Sequence, residues 1–160
     1  MSVSAPVLTA PMASEWVQQQ RRRGAGVALA NGCFDLLHVG HVRYLTSAAA
    51  EADVLVVGIN GDASVASLKG PGRPLLPAMA RAEMVAALRC VDMVTVFDDP
   101  TADRLIRKLR PDVQCKGTDY EHGVPEAPTV ESIGGRVAIV GDAKRHSTGQ
   151  LIDRLRASDP

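Results

Sequence analysis

Short apolar runs alternate along this chain with stretches in which apolar residues recur every three or four positions. The runs predict strands, and the periodic stretches predict amphipathic helices. The predicted strands are residues 27–30, 53–59, 93–97, 113–116 and 136–140. The helices predicted between and after them are residues 39–51, 78–89, 101–109, 125–133 and 148–157.

The regular order of strand and helix predicts an α/β fold with three layers and a mainly parallel, five-stranded sheet. Residues 54–57 read Val-Leu-Val-Val, as expected of a strand that is covered on both faces. Ligands of such sheets bind beyond the carboxyl ends of the strands. The loops that follow the strands are therefore where a site is expected.

The N-terminal segment is expected to lie outside the folded part. Residues 1–14 lack the charged start and the long apolar stretch of a signal peptide, so they are predicted to be a disordered leader before a single domain at 15–160. Ser14 is predicted to cap a short helix at 15–20. The arginines at 21–23 then complement the dipole at the end of that helix, which favours a helix end over a nucleic-acid patch.

Composition excludes several classes of partner. The chain has 18 Lys and Arg against 18 Asp and Glu, and 3% aromatic residues, so it offers neither a basic field nor stacking platforms for nucleic acid. No apolar stretch approaches the length of a membrane span, so no membrane partner is expected. Cys33, Cys90 and Cys115 are scattered, without a Cys-x-x-Cys pair. This pattern predicts reduced thiols in a cytoplasmic protein, with no protein-bound metal.

The strongest chemical signal is the segment 31–41, Asn-Gly-Cys-Phe-Asp-Leu-Leu-His-Val-Gly-His. Gly32 permits a tight turn close to an anion, and the helix that begins near His38 and His41 presents backbone N–H groups to phosphate. Two imidazoles there can donate to a departing pyrophosphate, and so favour the transition state. The segment predicts a catalytic polyphosphate site, although incidental histidines at a helix start are the alternative.

This segment resembles the signature of the cytidylyltransferase-like nucleotidyltransferases, and the resemblance extends over residues 27–155. It implies a Rossmann-like nucleotidyltransferase fold and a contact of Asp35 with substrate or metal. The residues that it places along the nucleotide and its phosphates are Gly32, Cys33, Phe34, His38 and His41.

Cations follow the second strand. Lys69 lies on a predicted Gly/Pro loop, residues 68–74, and resembles the family's mobile lysine, which implies a catalytic contact with both substrates. A solvated surface loop is the alternative, and Arg73 is left unassigned. Arg81 opposes the dipole at the start of the next helix. The resemblance implies substrate binding for Arg81, while an ion pair with a nearby carboxylate fits equally well.

Acceptor-binding residues are expected after the second and fourth strands. In Lys-Gly-Thr-Asp-Tyr, residues 116–120, Lys116 can meet a sugar phosphate and Asp119 can accept from sugar hydroxyls, unless the segment is a plain turn. The segment resembles that of the sugar 1-phosphate adenylyltransferases of heptose synthesis. Asn60 is either part of a turn or a substrate contact.

The start of the last helix is similar to the family's nucleotide-phosphate segment. The resemblance assigns Arg145, Ser147 and Thr148 to nucleotide binding, although Ser147 or Thr148 also fits a plain helix cap. His122 and His146 are left unassigned.

Together these resemblances imply transfer of AMP from ATP to a heptose 1-phosphate, with Mg²⁺ accompanying ATP, in a homodimer without an attached kinase domain. The product would supply the lipopolysaccharide core or another surface glycan. A glycerol-3-phosphate cytidylyltransferase and an FAD synthetase-like adenylyltransferase are alternatives. A nucleotide-binding module without catalysis is the alternative from a different class.

Overall fold

In the computed structural model, residues 4–143 and 145–158 are described. Their strands are β1 (Val7–Leu8), β2 (Val27–Gly32), β3 (Val54–Asn60), β4 (Met93–Phe97), β5 (Val113–Lys116) and β6 (Arg136–Ile139). Their helices are α1 (Ala10–Arg22), α2 (Val39–Ala49), α3 (Asp62–Lys69), α4 (Ala78–Ala86), α5 (Asp103–Leu109), α6 (Ala127–Ser132) and α7 (Thr148–Ala157). A short 3₁₀ turn, Thr118–Tyr120, follows β5.

The strands form one sheet in the order β1-β4-β3-β2-β5-β6, and every neighbouring pair is parallel. The strand order changes direction at β2, which lies between β3 and β5. The connections after β2 and β5 lead to helices on opposite faces of the sheet, α2 and α6, so a crevice is expected at the carboxyl ends of these two strands. This confirms the predicted parallel α/β fold.

Alternate residues of the central strands supply the two cores. Ala28 and Val57 belong to the apolar cluster that includes residues of α2 and α4, whereas Leu29 and Val56 belong to the cluster that includes residues of α1 and α5. Successive side chains of a strand point to opposite faces of the sheet. The result is a sheet between two helical layers, which confirms the predicted three layers.

The N-terminal segment and the strand number require corrections. The leader predicted at 1–14 is wrong for its described end, since Val7–Leu8 pairs with β4 and adds a sixth strand to the sheet. Helix α1 begins at Ala10 after Thr9 as its N-cap, instead of at residue 15 after Ser14. Pro11 is accepted there because the first helical turn needs no bonded N–H.

Other differences are local. The prediction missed helix α3, which ends at Lys69, and Gly70 stops it with a φ of 90°. Helix α4 ends three residues earlier than predicted, and α5 begins two residues later. Helix α6 is shorter than predicted, and its Pro128 lies in the first turn, where proline is tolerated. Among the described residues, no helix has the length and apolar character that crossing a membrane requires.

Candidate active site

A cavity of about 740 Å³ opens at the carboxyl ends of β2, β3 and β5. It gathers nearly all the residues singled out from the sequence, from five separate segments of the chain. The predicted site residues that line it are Gly32, Cys33, Phe34, Asp35, His38, His41, Asn60, Lys69, Lys116, Asp119, Arg145, Ser147 and Thr148.

The two histidines are held by the start of helix α2. His38 is its N-cap, and Nδ1 of His38 accepts from the N–H of Gly40 at 3.1 Å. Nδ1 of His41 accepts from the N–H of His38 at 3.3 Å. The rings stack with centroids 3.9 Å apart. Because each Nδ1 is an acceptor, the proton of a neutral ring resides on Nε2, which makes Nε2–H the donor of both imidazoles.

Two glycines make room for this arrangement. A Cβ on Gly40 would lie 2.9 Å from the His38 ring, so a side chain there would displace the N-cap. A Cβ on Gly32 would lie 3.1 Å from the ring of Phe34, which has a φ of 49° and contacts His41 at a centroid distance of 5.3 Å. A bulky residue at positive φ is uncommon and costs energy. This turn is therefore held in shape by its neighbours.

Helix α7 adds a second helix start to the cavity wall. Oγ of Ser147 accepts from the N–H of Gln150 at 3.1 Å, which makes Ser147 the N-cap. Oγ1 of Thr148 donates to the carbonyl of Leu36 at 3.3 Å and ties this helix to the loop before α2. The N-termini of α2 and α7 therefore meet the same cavity, an arrangement that favours a polyanion.

The unassigned histidines differ in position. His146 lines the cavity beside Arg145, whereas His122 is exposed and is not among the lining residues. Asp142, in the same loop, pairs with Arg43 at 3.0 Å. Lys144, part of the segment that resembles the phosphate-binding loop of the family, lies outside the described residues.

Asp35 lines the cavity and is hydrogen-bonded to the loop after α3. The carboxylate is buried and accepts from Nε of Arg73 at 2.6 Å and from the N–H groups of Leu75 and Leu76 at 2.8 and 3.0 Å. Its lone pairs are thus directed at the loop after α3. The structure gives Arg73 its partner in Asp35, and the predicted contact of Asp35 with substrate stays a prediction.

The contacts of the Asp35 carboxylate are expected to weaken at acid pH. Burial pushes the pKa of Asp35 upward, but the N–H groups of Leu75 and Leu76 and the charge of Arg73 outweigh burial and hold this pKa below its ordinary value of 3.8. A carboxylate whose pKa is lower in the folded than in the unfolded chain stabilises the fold above the unfolded pKa. That stability is lost as pH falls through the folded pKa.

We therefore expect the melting temperature to fall as the pH is lowered below about 4. Asp35→Asn should show a smaller decline over this range, because its side chain does not titrate. The exposed Asp153, replaced by Asn, serves as the matched control and should melt like the unaltered chain at each pH. Equal declines in Asp35→Asn and the unaltered chain would contradict the assignment. Thermal melts between about pH 3 and pH 6 make the comparison.

The prediction for Arg81 is corrected. Its side chain is fully buried and does not line the cavity. It donates to the carbonyls of Leu76, Cys33 and Asn60 at 2.9, 2.6 and 2.7 Å, and pairs with Asp62 at 2.7 Å. The guanidinium thus joins the start of α4 to the ends of β2 and β3. The ion-pair alternative describes Arg81, and the predicted substrate contact does not.

The substrate contacts predicted for Lys69 and Asn60 stay predictions. Lys69 ends helix α3, so it lies before the Gly/Pro loop instead of on it, with an exposed side chain at the cavity rim. Asn60 lines the cavity and uses Nδ2 to donate to Oγ of Ser64 at 3.0 Å.

The end of β5 carries a feature that sequence reasoning missed. Nζ of Lys116 lies 3.2 Å from Oε1 of Glu126, and both side chains are buried at the cavity wall. The ring of Tyr120 lies 4.8 Å from the same Nζ. Glu126 precedes a short helix and belongs to no recognised motif, so only the folded chain brings it to Lys116.

The described residues offer no cluster of side chains for a metal ion. Among residues 4–143 and 145–158, no cluster of three or more His, Cys, Asp or Glu side chains could hold a metal ion. Asp35 does not fit as a ligand, because Arg73 and two backbone N–H groups already use its oxygens. The Mg²⁺ expected to accompany ATP stays a prediction.

Residues 29–155 match the cytidylyltransferase-like family. The chain belongs to this family and is a nucleotidyltransferase, as its sequence predicts. It is 49% identical over 140 residues to the bifunctional protein HldE of Syntrophotalea carbinolica, and this match covers 87% of this chain and 29% of that protein. It is 47% identical over 152 residues to the bifunctional protein HldE of Acidiphilium cryptum, and this match covers 94% of this chain and 31% of that protein.

These curated relatives are much longer than the matched region, and the chain spans about a third or less of their length. Among solved structures, the fold is similar to the lipopolysaccharide core biosynthesis protein from Thermoplasma volcanium, with a TM-score of 0.63 and 25% identity. That match covers 75% of this chain and 100% of the other.

Proposed function

We propose that this nucleotidyltransferase transfers AMP from ATP to a heptose 1-phosphate, giving ADP-heptose and pyrophosphate. The observation that carries the proposal is the pair His38 and His41, whose Nδ1 atoms are engaged by the backbone and whose rings line the cavity at the start of α2. The similarity to HldE proteins and to a lipopolysaccharide core biosynthesis protein supports the heptose acceptor.

The reaction requires little covalent chemistry from the protein. An oxygen of the sugar phosphate attacks the α-phosphorus, and the bond from that phosphorus to the bridging oxygen breaks. The nucleophile is already anionic, so positioning and charge stabilisation supply most of the rate enhancement. Nε2–H of each imidazole donates to the negative charge that develops on the departing pyrophosphate. Mg²⁺ enters with ATP and neutralises part of the triphosphate charge.

Other residues of the cavity complete the proposal. The backbone of Gly32, Cys33 and Phe34 lies along the nucleotide, and the N-terminus of α7 receives its phosphates together with Arg145. Lys69 at the rim contacts both substrates, and Asn60 and Asp119 contact the acceptor. The expected homodimer and cytoplasmic location stay predictions.

Pyrophosphate release measures the activity directly. We expect release with ATP and heptose 1-phosphate, and little release when either CTP or another acceptor is substituted. Release with CTP and glycerol 3-phosphate would identify a cytidylyltransferase instead. Release with ATP and flavin mononucleotide would identify an FAD synthetase-like enzyme. Binding of ATP without release on any acceptor would identify a nucleotide-binding module.

A further inference from the structure

A buried ion pair forms part of the cavity wall at the end of β5. Nζ of Lys116 and Oε1 of Glu126 lie 3.2 Å apart, and their side chains are 5% and 7% exposed. The pair is neutral as a whole. Such a pair is weak evidence for stabilisation, since apolar replacements of similar volume are often as stable.

The charge balance determines which ligand group suits the pair. A phosphate placed against Nζ would bring two negative charges close to the Glu126 carboxylate, in a region where water screens charge weakly. A hydroxyl carries no such penalty. It can donate to the carboxylate and accept from the ammonium. The pair therefore favours the hydroxyls of an acceptor over the phosphate expected at Lys116.

Glu126 also has acceptor capacity that the described residues leave unused. Its Oε2 is buried and has no hydrogen-bond partner among them. A buried carboxylate oxygen without a donor is costly, and a donor supplied by a ligand removes that cost. Oε2 is covered, so the contact requires the Glu126 side chain to rotate toward the cavity that it lines.

We propose that Lys116 and Glu126 together form a subsite that recognises sugar hydroxyls and so determines acceptor specificity. One hydroxyl donates to the Glu126 carboxylate, and the same or a neighbouring hydroxyl accepts from Nζ of Lys116. This inference rests on the proposed function for the identity of the acceptor. It differs from the prediction made from the sequence, which places Lys116 against the sugar phosphate, in assigning Lys116 to the hydroxyls of the sugar.

Glu126→Gln tests the subsite, with Glu131→Gln as the matched control at an exposed position of α6, the helix that Glu126 precedes. In the unaltered enzyme, acceptor analogues that each lack one hydroxyl should include at least one whose kcat/KM falls by about 10- to 100-fold. Glu126→Gln should lower kcat/KM for the complete sugar by a similar factor, while the deoxy analogue loses little more. KM for ATP should stay unchanged in both variants.

A binding experiment keeps the proposal testable if turnover is absent. By calorimetry, Glu126→Gln and the double variant Lys116→Met/Glu126→Gln should bind heptose 1-phosphate more weakly, while inorganic phosphate binds as it does to the unaltered chain. The double variant leaves no unpaired charge buried, so it guards against loss of the fold. Circular dichroism checks that both variants are folded.

The outcomes separate the two proposals. Equal losses on the complete and every deoxy acceptor, or a parallel rise in KM for ATP, would make the pair structural and overturn the subsite. Weaker binding of inorganic phosphate in Lys116→Met/Glu126→Gln would return Lys116 to the phosphate. Absence of turnover on heptose 1-phosphate, with the calorimetric difference intact, would overturn the proposed reaction and retain the subsite.

Discussion

His41→Ala is expected to lower turnover by roughly 10²–10³, the loss typical of removing one fixed donor to charge in a transition state. His41 lines the cavity, and its ring stacks on His38 with centroids 3.9 Å apart. The measurement is kcat from pyrophosphate release at saturating ATP and heptose 1-phosphate. His122→Ala is the control, since that histidine is exposed and does not line the cavity. It should leave turnover unchanged.

His41 also closes the capping box of α2, so loss of the donor must be separated from loss of the cap. Its Nδ1 accepts from the N–H of His38, and removing a cap costs about 1 kcal/mol. His41→Gln supplies the acceptor that suits this third helical position but lacks the imidazole. We expect His41→Gln to regain the melting temperature and to stay slow. Turnover near that of the unaltered enzyme in His41→Gln would show that the imidazole itself is not required.

The parts of this protein that sequence predicted well are local. Strands β4 and β5 have the predicted bounds. Strand β4 is a short, mainly apolar run between turns, a pattern that indicates a buried strand. The segment 31–41 is continuous, so its glycine turn and its two histidines at a helix start could be recognised together. The cavity brings this segment to the ends of β3 and β5, as the rule for parallel sheets predicts.

What sequence missed depends on partners far along the chain. Strand β1 has only two residues, too few to show the alternation of apolar and polar positions that marks a strand. It is a strand because it pairs with Val94 and Thr95 of β4. Asp35 finds its donors about forty positions later, in a loop whose path no local pattern fixes. The glycines and prolines after Lys69 predict a loop and obscure a helix of only eight residues that ends at Lys69. Such features follow from tertiary contacts.

Arg81→Met is expected to lower the free energy of unfolding by about 3–5 kcal/mol, which approaches the whole stability of many domains. Three carbonyls would lose their buried donor, namely those of Leu76, Cys33 and Asn60. Each buried polar group without a partner costs about 1–3 kcal/mol. Asp62 is half-exposed and can regain water, so it adds little to the loss.

Arg81→Lys distinguishes charge from geometry. A lysine retains the positive charge but cannot direct donors at the ends of both β2 and β3, because its single ammonium replaces a planar group with five N–H donors. We expect Arg81→Lys to recover only part of the stability lost in Arg81→Met. Arg89→Met, at an exposed position, should stay within about 0.5 kcal/mol of the unaltered chain. Urea unfolding measures all three variants. An Arg81→Met protein that unfolds at the same urea concentration as Arg89→Met would show that the guanidinium does not hold these strands together.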